Sequence, residues 1–230
     1  MIELPEPGLD LTPTQWEAFQ HYADLLHTWN QRFNLTAVRT LEEIWSRHFW
    51  DSLTCLRVMR GTPMQRVIDV GTGAGFPGLA LKIAWPDMQL TLVEAIGKKA
   101  AFCAEVVRVL ALEHVDIQTT RVEELGRNPH YREQFDWAVA RAVAPLPVLA
   151  EYLLPLVKIG GRMLAQKGKD AEQETQQAQT AFTALGGKLL QVVSVTLPGV
   201  ESRALVVVGK TRPTPDRYPR RVGIPAKRPL

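Results

Sequence analysis

Residues 67 to 78 read Val-Ile-Asp-Val-Gly-Thr-Gly-Ala-Gly-Phe-Pro-Gly, and Glu94 stands at the end of the next apolar run. An apolar strand that breaks into glycines can turn sharply into a helix while its backbone approaches a ligand, because glycine tolerates the dihedrals and has no side chain in the way. An acid at the following strand end can accept hydrogen bonds from a ribose diol. Gly71, Gly73, Gly75, Phe76 and Glu94 are therefore candidates for holding a nucleotide-like ligand. Two further groups have useful chemistry. Arg141 follows the apolar run Trp137 to Ala140, where an arginine is better explained as aimed into a cleft than as solvated. His48 and Asp51, three apart, share a helix face, and a structural hydrogen bond explains them more simply than an acid/base couple.

Positioning these residues takes an alternation of strands and helices. Strands are expected at 66–70, 89–93, 115–119, 135–140 and 162–166, with helices at 78–85, 98–110, 146–157 and 171–185 between or after them. The last two strands, 189–196 and 204–208, follow one another across a Pro198-Gly199 turn. The result is an α/β fold with a mainly parallel sheet of about seven strands and an antiparallel edge. Ahead of it, Thr12-Pro13-Thr14-Gln15 is a capping box for a helix carrying the stripe Trp16, Phe19, Tyr22, Leu26 and Trp29, which fits a helical extension over residues 1–60 that covers the sheet. The core domain is then 61–211, and 212–230 forms a tail.

Ligands of such sheets bind outside the carboxyl ends of the strands. This adds Ala95, Ile96, Val122 and Glu123 to the candidates, with Ile96 and Val122 placed to flank a ring and Glu123 to accept from an amino group. For Val122 ordinary packing is an equal explanation.

A hydrophobic content of 46% over 230 residues supports a full core. The acidic start and the lack of a long apolar run point to a cytoplasmic protein without membrane association, and a monomer is expected. Cys55 and Cys103 sit in apolar patterns without metal spacing, so buried free thiols and no metal are expected. The charge is segregated. From Arg203 onward eight basic residues face one acid, leaving 19 basic and 23 acidic residues before it. With five prolines from Pro213 onward, this tail is expected to be extended, with Tyr218 offering a stacking face and the arginines pairing with RNA phosphates.

The glycine turn can be read in two frames. Gly73, Gly75 and Gly78 satisfy the dinucleotide pattern, whereas Asp69-x-Gly71-x-Gly73-x-Gly75 resembles the first motif of S-adenosylmethionine-dependent methyltransferases, Rossmann-like enzymes of class I. Taken together, Asn34-Leu35-Thr36, His48-x-x-Asp51-Ser52-Leu53, Asp69 to Gly78, Arg141-Ala142, Lys167-Gly168 and Tyr218 to Leu230 resemble the glucose-inhibited division protein B family over nearly the whole chain. Those proteins are bacterial methyltransferases of guanine N7 at position 527 of 16S ribosomal RNA. The resemblance implies S-adenosyl-L-methionine as cofactor, held by Gly71, Gly73, Gly75, Phe76, Glu94, Ala95, Ile96, Val122, Glu123 and Arg141. Ribosomal RNA or the small-subunit particle is the implied partner, with Lys167, Arg217, Arg220, Arg221, Lys227 and Arg228 for its phosphates.

The absences agree. Enzymes acting on exocyclic amines often carry an acidic or amide residue before Pro-Pro-aromatic after the fourth strand, where this chain has Ala140-Arg141-Ala142-Val143, and no cysteine nucleophile stands there. Guanine N7 carries a lone pair and no proton, so no general base is expected and Arg141 is the catalytic candidate through positioning, on the cofactor or on guanine O6. Two other readings stay open: a nicotinamide-dependent oxidoreductase using the shifted frame, and a non-catalytic RNA-binding module.

Overall fold

The computed structural model describes residues 9–197 and 200–230, so the turn expected at Pro198-Gly199 lies outside the described residues. One seven-stranded sheet, in the order β3-β2-β1-β4-β5-β7-β6, organises the molecule. Its strands are β1 (Arg66–Val70), β2 (Gln89–Val93), β3 (Val115–Gln118), β4 (Phe135–Arg141), β5 (Val157–Lys167), β6 (Gly187–Leu197) and β7 (Val200–Lys210). The first five run parallel, and β7 is antiparallel to both β5 and β6. The strand order reverses between β1 and β4, which leaves a crevice at their carboxyl ends.

Sequence explains the layers on either side. Helix α1 (Pro13–Phe33) begins at the capping box, where the Thr12 hydroxyl accepts from Gln15 N and the Gln15 side chain accepts from Thr12 N. It buries Phe19, Tyr22 and Leu26 completely. Tyr22 stacks on Phe76 of the glycine turn at 5.3 Å, so the aromatic stripe packs on the turn and not only on the sheet. The chain continues through α2 (Leu41–Ile44), a π-helical turn Trp45–Trp50, α3 (Asp51–Leu53) and α4 (Leu56–Met59) before entering β1. The wider π turn puts His48 and Phe49 onto the Phe76 ring, at 4.6 and 5.9 Å. Nothing in the apolar spacing announces that turn.

Helices α5 (Gly78–Ala84) and α6 (Gly97–Val109) cross between the first three strands, and the short α7 (Val122–Leu125) and α8 (Leu146–Leu153) flank β4. Helix α8 stops earlier than expected: Pro155 cannot continue it, a 3-10 turn covers Leu154–Leu156, and β5 starts at once. Instead of one helix over 171–185 there are two, α9 (Ala171–Gln177) and α10 (Gln179–Ala184), meeting at Ala178. Both hairpin strands run longer than their apolar cores, to 11 residues each.

The tail departs most from expectation. It is folded onto the body and ends in the short helix α11 (Ile224–Lys227). Arg132 donates to the carbonyls of Gly126, Tyr218 and Thr214, and Pro219 packs so closely that a Cβ on Gly126 would lie 2.7 Å from it. Tyr218 is buried, which removes it as a stacking platform, although Arg217 covers its ring at 4.9 Å. Not all of the segregated charge is free either. Lys210 is buried on Glu133 at 2.9 Å, and Arg220 is paired with the fully buried Glu151. Cys55 and Cys103 are buried, as their apolar context suggested. Among the described residues no helix is long and apolar enough to cross a membrane.

Candidate active site

Two carboxylates shape the glycine turn. Gly71 takes φ +68°, and a Cβ there would lie 2.7 Å from the Val143 side chain, so only glycine fits. Asp69, fully buried, accepts through Oδ2 from the Thr72 hydroxyl at 2.6 Å and from Gly78 N at 2.8 Å, capping α5 from inside the strand. Burial raises its carboxyl to about 6, opposed by those two hydrogen bonds. Glu94 accepts from Gly73 N at 2.9 Å and from Ile96 N at 2.8 Å, tying the first turn to the second. A Cβ on Gly73 would meet nothing closer than 4.0 Å, so this stretch of backbone faces open space.

A cleft of about 210 Å³ opens there, walled by Gly71, Glu94, Ile96, Val122, Glu123 and Tyr152. Of the residues expected from the sequence it brings together Gly71, Glu94, Ala95, Ile96, Val122 and Glu123; Gly73 and Gly75 are not among its walls, and a Cβ on Gly75 would collide with the Tyr22 hydroxyl and Leu79, so that glycine faces the packed interior. Ile96 is half exposed on one side and Val122 lies nearly buried on the other. Glu123 is not the open acceptor expected: its Oε1 already takes the Gly223 N–H at 2.9 Å. Phe76 contributes no wall. Its ring is buried beneath the Arg141 guanidinium at 5.0 Å, between His48 and Tyr22.

Arg141 lies on a second, larger cleft of about 420 Å³, shared with Thr36, His48, Asp51, Gln166 and Arg203. Ala142, next in sequence, holds φ +55°, a conformation uncommon for a residue with a Cβ, and turns the chain away from the sheet immediately after Arg141. Arg141 donates to Asp51 Oδ2 at 2.9 Å and has Nη2 3.2 Å from His48 Nδ1. The pair His48 and Asp51 is thus joined through Arg141, and the expected direct bond between them is replaced by this bridge. The other Asp51 oxygen faces Arg203 Nε at 3.4 Å, and Gln166 donates to the Asp51 carbonyl at 2.7 Å. His48 Nε2 lies 2.9 Å from the Thr36 hydroxyl. Burial, then the Arg141 charge, lowers the imidazole to about 3, so it is neutral at physiological pH.

These two clefts share the strand-end face of one sheet, the arrangement of a two-ligand transfer site. The family model described as rRNA small subunit methyltransferase G matches residues 15–206. The chain belongs to that family. Proteins named ribosomal RNA small subunit methyltransferase G from Roseiflexus castenholzii and Leuconostoc citreum are 52% and 46% identical to it, over 97% and 99% of this chain and 95% and 96% of theirs. Among solved structures, TrmN from Thermus thermophilus superposes with a TM-score of 0.54 at 20% identity, covering 76% of this chain and 54% of that one. A SAM-dependent O-methyltransferase from Thermotoga maritima gives 0.52 at 15% identity, over 70% of this chain and 65% of the other. At such identities the superpositions show the Rossmann-like fold alone.

Within this chain, the phosphate-binding candidates separate. Arg217, Arg221, Lys227 and Arg228 are exposed. Lys167 is committed to Glu174 at 2.7 Å and to the Ala144 carbonyl at 3.1 Å, and Arg220 to Glu151, so neither is an open cation. Arg203 was grouped with the tail by composition. The antiparallel direction of β7 starts that strand where β4 and β5 end, and places Arg203 at the second cleft. A hairpin after a parallel sheet carries that signal: the residues preceding its return strand belong with those following the parallel ones.

Proposed function

We propose that this protein transfers a methyl group from S-adenosylmethionine to guanine N7 of small-subunit ribosomal RNA, at position 527 as the family resemblance implies. The observation that carries this reading is the family match over residues 15–206 on a chain whose strand-end face holds a glycine-walled cleft beside an arginine-bearing one. The residues present fit the donor. Glu94 is fixed by two backbone N–H groups and lies at the cleft wall, keeping lone pairs for a diol, while Ile96 and Val122 supply apolar faces and Gly71 a wall without a side chain. When bound, S-adenosylmethionine supplies an electrophilic methyl group on a sulfonium.

The chain's own contribution is then geometric. No proton need leave guanine N7, and the site provides accordingly: His48 is neutral, and Arg141 is locked by Asp51 in one orientation. A fixed guanidinium fork on the second cleft can donate to guanine O6 and hold the base, which leaves N7 for the donor side. Arg217, Arg221, Lys227 and Arg228 are the exposed cations for the RNA backbone. The decisive experiment is mass mapping of the methylated nucleotide in RNA treated with the protein and labelled donor. Label at guanine N7 is expected, and label at another atom, or none, would overturn the reading. Against the nicotinamide alternative stands the family match, which is to a methyltransferase family.

A further inference from the structure

Residues 218–228 do more than cover the body. They are anchored at two points on the very elements that wall the 210 Å³ cleft. At the first, Arg220 meets Glu151 of α8 with its backbone N–H at 2.7 Å and its guanidinium at 2.6 to 3.1 Å, and Glu151 directly precedes Tyr152 of the cleft wall. At the second, Gly223 N–H donates to Oε1 of Glu123, which follows Val122 on α7 and is only 4% exposed. The left-handed backbone of Gly223, φ +78°, turns this N–H into the cleft wall, and a Cβ there would touch nothing, so the turn itself and not packing needs the glycine. Between and beyond the anchors stand the exposed Arg221, Lys227 and Arg228.

We propose that this C-terminal strap is a positioning element for donor binding, with Gly223 and Arg220 holding Glu123 and the α7–α8 wall in place so that donor and RNA bind cooperatively. The inference rests on the function proposed above. Glu123 buried without the Gly223 N–H would be free to rotate out of the cleft, and the donor would have to reorder it on binding. RNA phosphates on Arg221, Lys227 and Arg228 hold the same short segment. Each ligand thus binds a wall that the other has already ordered, and the coupling must be reciprocal.

Hydrogen exchange on the full-length protein tests this without substitution. Adding saturating S-adenosylhomocysteine should slow exchange of the amides at 221–224 several-fold in the absence of RNA. Unchanged exchange there, with the ligand bound by calorimetry, overturns the inference and leaves the function standing. No binding of S-adenosylhomocysteine at all overturns both. A second arm uses Arg220→Ala and Arg220→Lys. The alanine variant should raise KM for the donor about tenfold with kcat within twofold, and lysine should recover part of the loss. If the strap merely stabilises, Arg220→Ala lowers the melting temperature while donor KM stays at the wild-type value, which refutes the proposal. If that variant fails to fold, the exchange result decides alone.

Discussion

The two clefts are built in opposite ways. The smaller one is a product of adjacent sequence and backbone: Gly71, Glu94 and Ile96 come from two successive strand ends, and the carboxylate fixes the turn through main-chain N–H groups. The larger one is a product of side chains from distant segments, with Arg141 and Asp51 separated by 90 residues and Gln166 and Asp51 by 115. A ligand common to many enzymes can be met by backbone, because one turn geometry serves all of them. A particular acceptor needs side chains chosen for it, from wherever the fold brings them together.

If the larger cleft holds the acceptor, Arg141→Ala should lower methyl transfer about 100-fold, since loss of a fixed fork misplaces the base. Its affinity for S-adenosylhomocysteine should stay within threefold by calorimetry. An equal loss in both measurements would erase the division between the clefts. Glu94→Ala should do the reverse. By stripping acceptors from two backbone N–H groups and from the donor, it should weaken S-adenosylhomocysteine binding about 10-fold to 100-fold, from the ~1–3 kcal/mol that a charged hydrogen bond contributes. RNA affinity without donor should fall much less, and a comparable fall would show that the smaller cleft also receives RNA.

A smaller effect is expected outside both clefts. Replacing Arg221, Lys227 and Arg228 together by alanine should weaken RNA binding several-fold and reduce the slope of log affinity against log salt by about 2, if the three contact unpaired RNA phosphates. Removing residues 217–230 outright is a poorer test, because it leaves Glu151 buried without Arg220. Breaking such a pair costs about 3–5 kcal/mol. The smallest signal is His48. With its folded-state value at about 3 and its ordinary one at 6.5, the unfolded chain takes up the proton first, so its contribution to stability is lost as pH falls through that window. Between pH 8 and 5 its ring resonances in an NMR titration should not move, and a transition near 6.5 would place an open, protonatable histidine at the larger cleft.

The same contrast explains what could be read from the sequence. Strands β1 and β2 and the turn between them were legible to the residue, because apolar runs, glycines and Glu94 are contiguous signals. Arg141 was legible as a strand-end residue. Its pairings were not: His48 and Asp51 stood out as neighbours on a helix face, but the π turn that aims them at Arg141 leaves no trace in residue spacing, and Arg203 was counted with a basic tail. The tail misled because proline and arginine content describes an isolated segment. It does not register Glu123, Glu133 and Glu151, acids elsewhere in the chain that capture Gly223, Lys210 and Arg220.

Asp51 carries one last implication, for the order in which the molecule assembles. Its carboxylate is sealed from water only when Arg141, at the tip of β4, and Arg203, on a return strand slotted between β5 and β6, are both in position. Without those two arginines, burying that charge would carry a large dehydration cost. The larger cleft is therefore complete only when β4 and β7 are both in the sheet, because each brings one of the two arginines that face Asp51.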